Sequence, residues 1–280
     1  MCPPKVLSGV AEATTSRRNF LKLGFGAAAA GAAAVALPNT RKTLAQAVGG
    51  ISFNNVQDLT HVLGRNTPLF PGSPPFEITT YVTVEENGFY GSILNYWEHV
   101  GTHMDAPAHF AVGGAFVDQL NPANLIVPIA VIDISGRAVL NPDTTVNLDD
   151  VLAYEAQYGP IPENAAVFMN SGWAERWGEP EAFVNLDEGG TQHYPGFSQE
   201  ATDFLIFQRN IAGIGVDTLS LDPGNSTTFD VHVSFLGSGR WGMENLANLN
   251  QIPPTGAVAF VGAPKVAAGS GGPSRVMAIW

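Results

Sequence analysis

The sequence predicts an α/β fold, because short apolar runs alternate with two amphipathic helices along its second half. The runs are rich in β-branched residues and are bounded by Gly, Pro or Asn, which is typical of buried strands. With 280 residues, of which 45% are apolar, the chain can bury the core of one sizeable domain. The predicted strands cover residues 125–134, 165–169, 211–216, 257–261 and 276–279.

Two helices are predicted between these strands. The first begins after Asn147, whose side chain can cap the free N–H groups of a first turn, and ends at Gly159. The second begins after Ser198, carries Glu200 in its first turn, and ends before Gly213.

The region before residue 117 is broken by prolines and glycines into turns, apart from a predicted strand over residues 76–84. Residues 263–274 are rich in Gly and Pro and predict a loop before the final strand. Because neither a repeat nor a low-complexity linker interrupts the chain, we expect one domain from about residue 50 to the C-terminus.

The N-terminal segment resembles a twin-arginine export signal. Arg17 and Arg18 precede an uncharged Ala- and Gly-rich run over residues 23–37, and a small-x-small triplet ends at Ala47. As a helix, the run would be about 22 Å long, which is short of a hydrocarbon core about 30 Å thick. We therefore expect a cleaved signal rather than a stable membrane span.

This resemblance divides the chain into an export signal, residues 1–47, and a mature domain, residues 48–280. It implies transport by the twin-arginine translocase to the periplasm or the exterior. Since that route carries folded proteins, often with a metal or cofactor bound, it also favours a bound metal.

Composition excludes several classes of partner. The formal charge is −12, so the chain lacks the basic face that binding of nucleic acid or of an anionic membrane requires. Cys2 is the only cysteine, which excludes an intramolecular disulfide.

Three of the six histidines lie in one stretch of eleven residues, His99 to His109, together with Asp105. Imidazole and carboxylate donors without sulfur suit zinc, manganese or ferrous iron. In extended chain His99 and His103 would stand about 13 Å apart, too far to share one ion, so we expect a turn at Gly101. Pro107 should interrupt regular structure before His109.

A second candidate pair, His232 and Glu244, follows downstream. Three glycines between them allow the chain to turn back and bring the two side chains together. Glu244 lies among apolar residues, where an unpaired carboxylate would be costly and a cation would offset that cost.

With these motifs, the sequence resembles the cyclase-like metal hydrolases, the family of kynurenine formamidase and isatin hydrolase type, over residues 57–280. The family pattern His-x-Gly-Thr-His-x-Asp-x-Pro-x-His is complete from His99 to His109. The resemblance implies a single domain with a mixed, barrel-like β-sheet flanked by helices. It also implies a homodimer or higher assembly and one or two divalent ions per subunit, Zn²⁺ or Mn²⁺.

The resemblance also implies roles for individual residues. His99, His103 and Asp105 would bind one metal, and Asp105 would bridge to a second metal that His232 and Glu244 complete. His109 would then transfer protons during catalysis. Phe70 stands where formamidases usually carry Trp, and it would line the substrate pocket.

The implied activity is hydrolysis of a carbon–nitrogen bond in a small amide or cyclic amide, of the arylformamide or isatin type, by metal-activated water. The same site could hydrolyse a lactone or another ester. A non-catalytic metal- or ligand-binding protein is the alternative of another class.

Other residues carry weaker signals. We expect His61 to make a structural hydrogen bond and His193 to lie at the surface or the pocket rim. Asp217 closes a predicted strand, and either orienting a metal ligand or forming a turn would explain it. The tryptophans Trp97, Trp173 and Trp177 are expected in the core.

Overall fold

The computed structural model describes residues 52–280. The predicted export signal, residues 1–47, lies outside the described residues. The described part contains two compact units, one with Ile78–Asn95 and the other with Phe53–Glu77 and Tyr96–Trp280. Among residues 52–280, no helix has the length and apolar character needed to cross a membrane.

The smaller unit is a hairpin in which strands β2 and β3 form a two-stranded sheet. A single helical turn, α1, joins them; the Thr83 side chain accepts a hydrogen bond from the N–H of Glu86 at its start, and Gly88 ends it with a φ of 79°. The bounds are Glu77–Val82 for β2, Val84–Asn87 for α1 and Gly91–Asn95 for β3.

The larger unit is built on a mixed nine-stranded sheet that curls into a half-barrel, which confirms the predicted α/β class. The sheet order is β1-β13-β11-β5-β7-β9-β10-β4-β12. Its centre, from β5 to β10, is parallel, and both flanks are antiparallel. The strand bounds are Val56–Asp58 (β1), His103–Asp105 (β4), Ile126–Asp133 (β5), Ala166–Asn170 (β7), Gly213–Val216 (β9), Trp241–Glu244 (β10), Val258–Phe260 (β11), Gly271–Pro273 (β12) and Met277–Ile279 (β13).

Both faces of the central sheet are buried, because side chains alternate between two apolar layers. On β5, Ala130 and Ile132 pack in the layer that holds the helices, whereas Ile129 and Val131 pack in the layer on the other face. The described residues also form two short strands that pair in parallel, β6 (Thr145–Val146) and β8 (Gly196–Phe197). Further α-helices are α2 (Ser135–Ala138), α3 (Leu148–Tyr158), α4 (Pro180–Val184) and α5 (Gln199–Arg209).

Both predicted helices form, as α3 and α5. Asn147 caps α3 by accepting the N–H of Asp150 at 3.0 Å, and Gly159 ends the helix. Ser198 caps α5 by accepting the N–H of Ala201 at 3.2 Å. These side-chain acceptors satisfy backbone donors that an isolated helix would leave free.

The prediction of a loop over residues 263–274 is wrong at its end. Gly271–Pro273 forms the edge strand β12, which pairs with β4 and places Gly271 opposite Asp105. Glycine and proline have low intrinsic strand preference, so tertiary pairing decides the conformation of this segment.

Candidate metal centre

The first stretch of the motif turns at Gly101 before it enters β4, as predicted. Gly101 has a φ of +66°, and a Cβ there would approach Leu63 Cδ1 to 3.0 Å. The turn places the His99 ring 5.3 Å from that of His103, measured between centroids. His103 and Asp105, two residues apart on β4, share one face of the strand.

Strand pairing brings Glu244 to the same place. Strand β10 runs antiparallel to β4, with Glu244 opposite His103 and Gly242 opposite Asp105. His232 lies in a short π-helical segment, His232–Leu236, that precedes β10. The predicted return of the chain between His232 and Glu244 is therefore present.

The nitrogen and oxygen atoms of these residues converge in a buried cluster. His103 Nε2 lies 3.3 Å from Glu244 Oε2 and 3.4 Å from Asp105 Oδ1. His232 Nε2 lies 3.1 Å from Glu244 Oε1 and 3.5 Å from Asp105 Oδ2. His99 Nδ1 lies 2.7 Å from Asp105 Oδ1. Asp105 thus faces all three imidazoles.

The Nδ1 atoms of His103 and His232 form hydrogen bonds with groups outside the cluster. His103 Nδ1 donates to the Gly101 carbonyl at 2.9 Å, and His232 Nδ1 donates to Asp222 Oδ2 at 2.6 Å. A hydrogen on Nδ1 leaves a lone pair on Nε2, the form in which histidine binds a metal.

The cluster fits a divalent cation. His103 Nε2 and Asp105 Oδ2 are buried and lack a hydrogen-bond partner among the described residues, although buried polar atoms are almost always paired. Donor atoms lie within 4.8 Å of one another in two groups, His103–Asp105–Glu244 and His99–Asp105–His109. Nitrogen and carboxylate donors at such separations are a ligand set for a divalent metal ion.

Electrostatics in the cluster favour charged side chains. Burial alone would raise the pKa of Asp105, but the nearby imidazoles of His103, His232 and His99 hold it well below its usual value. Burial alone would lower the pKa of His103, but the nearby carboxylates of Asp105 and Glu244 raise it to about 10. A bound cation would take the place of these protons.

His109 lies beside the cluster rather than in its middle. Pro107–His109 forms a 3₁₀ turn, which redirects the chain after β4. The His109 ring stacks on the His99 ring at 3.8 Å between centroids and with 23° between planes. Burial lowers the pKa of His109 to about 4, and the charge of Asp105 opposes this shift.

A cavity of about 220 Å³ opens onto the cluster, a size that suits a small molecule. Phe70, the residue predicted to line the substrate pocket, lines this cavity. Trp97 lines it too and is 45% exposed, so the expectation that this side chain belongs to the core is wrong. Phe110 and Phe229 complete the aromatic wall, with ring centroids 5.9 Å apart.

Phe229 has a φ of +53°, in the left-handed region that bulky side chains rarely adopt. Such conformations cluster at functional sites, where the surrounding structure enforces them. The Phe229 ring faces the cavity beside Phe70, and the two ring centroids are 6.4 Å apart.

The remaining candidates lie outside the cluster. His61 stacks on Trp177 at 4.1 Å, and its pKa is lowered to about 4 by burial. His193 lies within 2.8 Å of Asp143 and does not line the cavity. Asp217 is buried and accepts the N–H groups of Ser171 and Trp173, which explains it as a turn-forming residue. Trp173 is in the core, as expected.

Sequence reasoning missed Asp222, Phe110 and Phe229. Asp222 is buried and accepts the backbone N–H groups of Val231 and His232 in addition to the imidazole. Asp222 precedes Pro223 and Gly224, so its sequence context indicates only a turn, and the two phenylalanines carry no signal that separates them from core residues.

Comparisons with known proteins agree with this geometry. Residues 57–223 match the Cyclase family model. The isatin hydrolase of Roseibium aggregatum is 33% identical over 241 residues, which cover 80% of this chain and 91% of the relative. The kynurenine formamidase of Salinibacter ruber is 25% identical, covering 79% and 95%. The structure of isatin hydrolase A from Ralstonia solanacearum superposes with a TM-score of 0.77 at 33% identity, covering 89% of this chain and 99% of that one.

Proposed function

Because this chain belongs to the Cyclase family of metal-dependent hydrolases, we propose that it opens a small cyclic amide of the isatin type. The observation that carries this proposal is the convergence of buried donor atoms, two of them without a partner, on the floor of a cavity walled by aromatic rings. The coarser activity, hydrolysis of an amide or cyclic amide, follows from the relatives.

The metal would be held by the residues that the motif identified. His99 and His103 would hold one ion together with Asp105, and Asp105 would also contribute to a second site. His232 and Glu244 would complete the second site. The arrangement would accommodate two ions, because the two oxygens of Asp105 face different imidazoles. The sulfur-free donor set favours Zn²⁺ or Mn²⁺.

A bound divalent ion would polarise the substrate carbonyl and lower the pKa of a bound water from its value in bulk solvent toward about 7. His109 is placed to move the proton. It lines the cavity, stacks on His99, and lies 6.0 Å from His232 between ring centroids. We assign it transfer of a proton from the attacking water to the leaving nitrogen.

The aromatic wall supports a flat, aromatic substrate. Phe70, Trp97 and Phe229 line the cavity without adding a charged group, so a neutral ring can stack there. The isatin hydrolase and kynurenine formamidase relatives are named for isatin and kynurenine, two compounds that carry a benzene ring.

The test is an assay of purified protein against isatin, an N-formyl arylamine and an aromatic lactone. We expect turnover of isatin that a chelator abolishes and that Zn²⁺ or Mn²⁺ restores. Faster hydrolysis of the lactone than of either amide would replace the amide with an ester as the substrate. Absence of chelator-sensitive turnover of all three compounds would refute the proposal.

Location and assembly are separate parts of the proposal. The Arg17-Arg18 pair supports export by the twin-arginine translocase to the periplasm or the exterior. Replacing both arginines with lysine should retain the protein in the cytoplasm in cell fractionation. The family supports a homodimer or tetramer, which light scattering of the purified protein measures.

A further inference from the structure

The outer nitrogen of His99 is held by a residue 171 positions away in the sequence. His99 Nε2 lies 3.0 Å from the Ser270 hydroxyl oxygen. Ser270 is in turn bound to the neighbour of His99, because its N–H and its hydroxyl donate to the two carboxylate oxygens of Glu98 at 3.1 and 2.5 Å. Three residues thus form a closed hydrogen-bonded group.

Counting hydrogens determines the direction of each hydrogen bond. An ionised carboxylate only accepts, so the single hydroxyl hydrogen of Ser270 is directed to Glu98. Ser270 Oγ can then only accept from His99, which places a hydrogen on Nε2. In the neutral imidazole, the form that binds a metal, the lone pair is then on Nδ1, the nitrogen that lies 2.7 Å from Asp105 Oδ1 in the cluster.

The backbone around Ser270 is fitted closely to His99. A Cβ on Gly271 would lie 2.5 Å from His99 Cε1 and 2.5 Å from the Met104 carbonyl oxygen, so only glycine allows this approach. The Ser270 carbonyl accepts the N–H of Ala106 at 2.9 Å, which fixes the segment against the motif. Ser270 and Gly271 lie outside the part of the chain that the family model matches, which ends at residue 223.

We propose that Glu98 and Ser270 are positioning residues that hold His99 in its Nε2–H tautomer and thereby increase the affinity of the cluster for a divalent cation. The proposal rests on the metal centre of the proposed function but not on the substrate. Partners of this kind typically change metal affinity by roughly 10- to 100-fold.

The test compares Ser270→Ala with a matched control, Ser135→Ala. Ser135 also donates its hydroxyl to a carboxylate, Asp133, at 2.6 Å, but does not line the cavity. Affinity for Zn²⁺ alone and for Mn²⁺ alone is measured by competition with a chelator. We expect Ser270→Ala to weaken binding roughly 10- to 100-fold and Ser135→Ala to leave it unchanged. Wild-type affinity in Ser270→Ala would overturn the proposal.

Two further variants keep the test decisive if Ser270→Ala folds poorly. Ser270→Thr retains the hydroxyl and should restore binding, whereas Glu98→Gln weakens the acceptor and should reduce it. Glu98 is 33% exposed, so its replacement is tolerable for folding. In zinc-loaded protein, the two-bond ¹H–¹⁵N NMR spectrum should show His99 protonated at Nε2; protonation at Nδ1 would contradict the assignment.

Failure of this proposal and failure of the proposed function are distinguishable. A protein that binds Zn²⁺ less tightly as Ser270→Ala, yet hydrolyses no amide in the wild type, would support the positioning pair and refute the function. Hydrolysis of isatin by the wild type, together with equal affinity for Zn²⁺ in the wild type and in Ser270→Ala, would support the function and refute the positioning pair.

Discussion

Nδ1 of His232 lies 2.6 Å from Oδ2 of Asp222, and both side chains are buried. The same carboxylate also accepts the backbone N–H groups of Val231 and His232, at 2.8 and 3.1 Å. One acid therefore fixes both the start of the π-helical segment and the orientation of the imidazole. His232 reaches the cluster with Nε2 because Asp222 occupies its other nitrogen.

Replacement of Asp222 with Asn should lower metal affinity roughly 10- to 100-fold, because an amide holds the imidazole less firmly than a carboxylate does. Asp217→Asn is the matched control. Asp217 is equally buried and also accepts backbone N–H groups, but it does not contact the cluster. Chelator competition with Zn²⁺ measures both variants. Equal losses of affinity would show that general destabilisation, not orientation of His232, is responsible.

The second prediction separates metal binding from proton transfer. His109→Ala should leave metal content near that of the wild type and lower turnover by about 100-fold or more. Asp105→Ala should lose both metal and activity, since Asp105 faces three imidazoles. Elemental analysis and isatin turnover are measured on the same preparations. Loss of metal from His109→Ala would instead assign His109 as a metal ligand. Its donor atom is close enough to those of His99 and Asp105 for the three residues to share an ion.

Local patterns predicted those parts of the fold that depend on local interactions. The caps Asn147 and Ser198 located two helices, because a helix start needs a nearby side-chain acceptor. The β-branched runs located the central strands, because strand preference is also a property of a short stretch of sequence. Strand β12 was missed because Gly271 and Gly272 form it only through pairing with β4.

The same distinction applies to the metal centre. The residues from His99 to His109 were recognisable because they are adjacent in the sequence. Asp222 and Ser270 were not, since each meets its histidine only after distant strands have paired. Contacts of this kind require the three-dimensional structure.

A third prediction concerns pH and stability. Burial lowers the pKa of His61 to about 4, below the 6.5 of an unfolded histidine. Between these values the unfolded chain binds a proton that the folded chain does not, so the free energy of unfolding should fall as pH decreases from about 6.5 toward 4. His61→Phe retains a ring to stack on Trp177 and should reduce this loss, measured by urea unfolding of chelator-treated protein.

His193 provides the control of opposite sign. A hydrogen bond with Asp143 raises its pKa, so its stabilising contribution is present below pH 6.5 and is lost as pH rises through the folded-state value. His193→Gln should therefore steepen the loss of stability on acidification where His61→Phe reduces it. Identical pH profiles of wild type and His61→Phe would contradict the prediction.

The last prediction tests the strained phenylalanine of the cavity. Phe229 faces Phe70 and Phe110 across the aromatic wall and adopts a φ of +53°. Phe229→Ala and Phe229→Gly both remove the ring, and both should lower kcat/KM for isatin by about tenfold or more, since a stacked aromatic pair and its buried area are lost.

The two variants should differ in stability. A left-handed backbone costs alanine about 1 kcal/mol and glycine almost nothing. The Gly variant should therefore unfold at the higher temperature, whereas at an ordinary position glycine is the less stable of the two. A lower melting temperature for Phe229→Gly would show that the conformation is not strained, and unchanged kcat/KM in both variants would remove Phe229 from the substrate pocket.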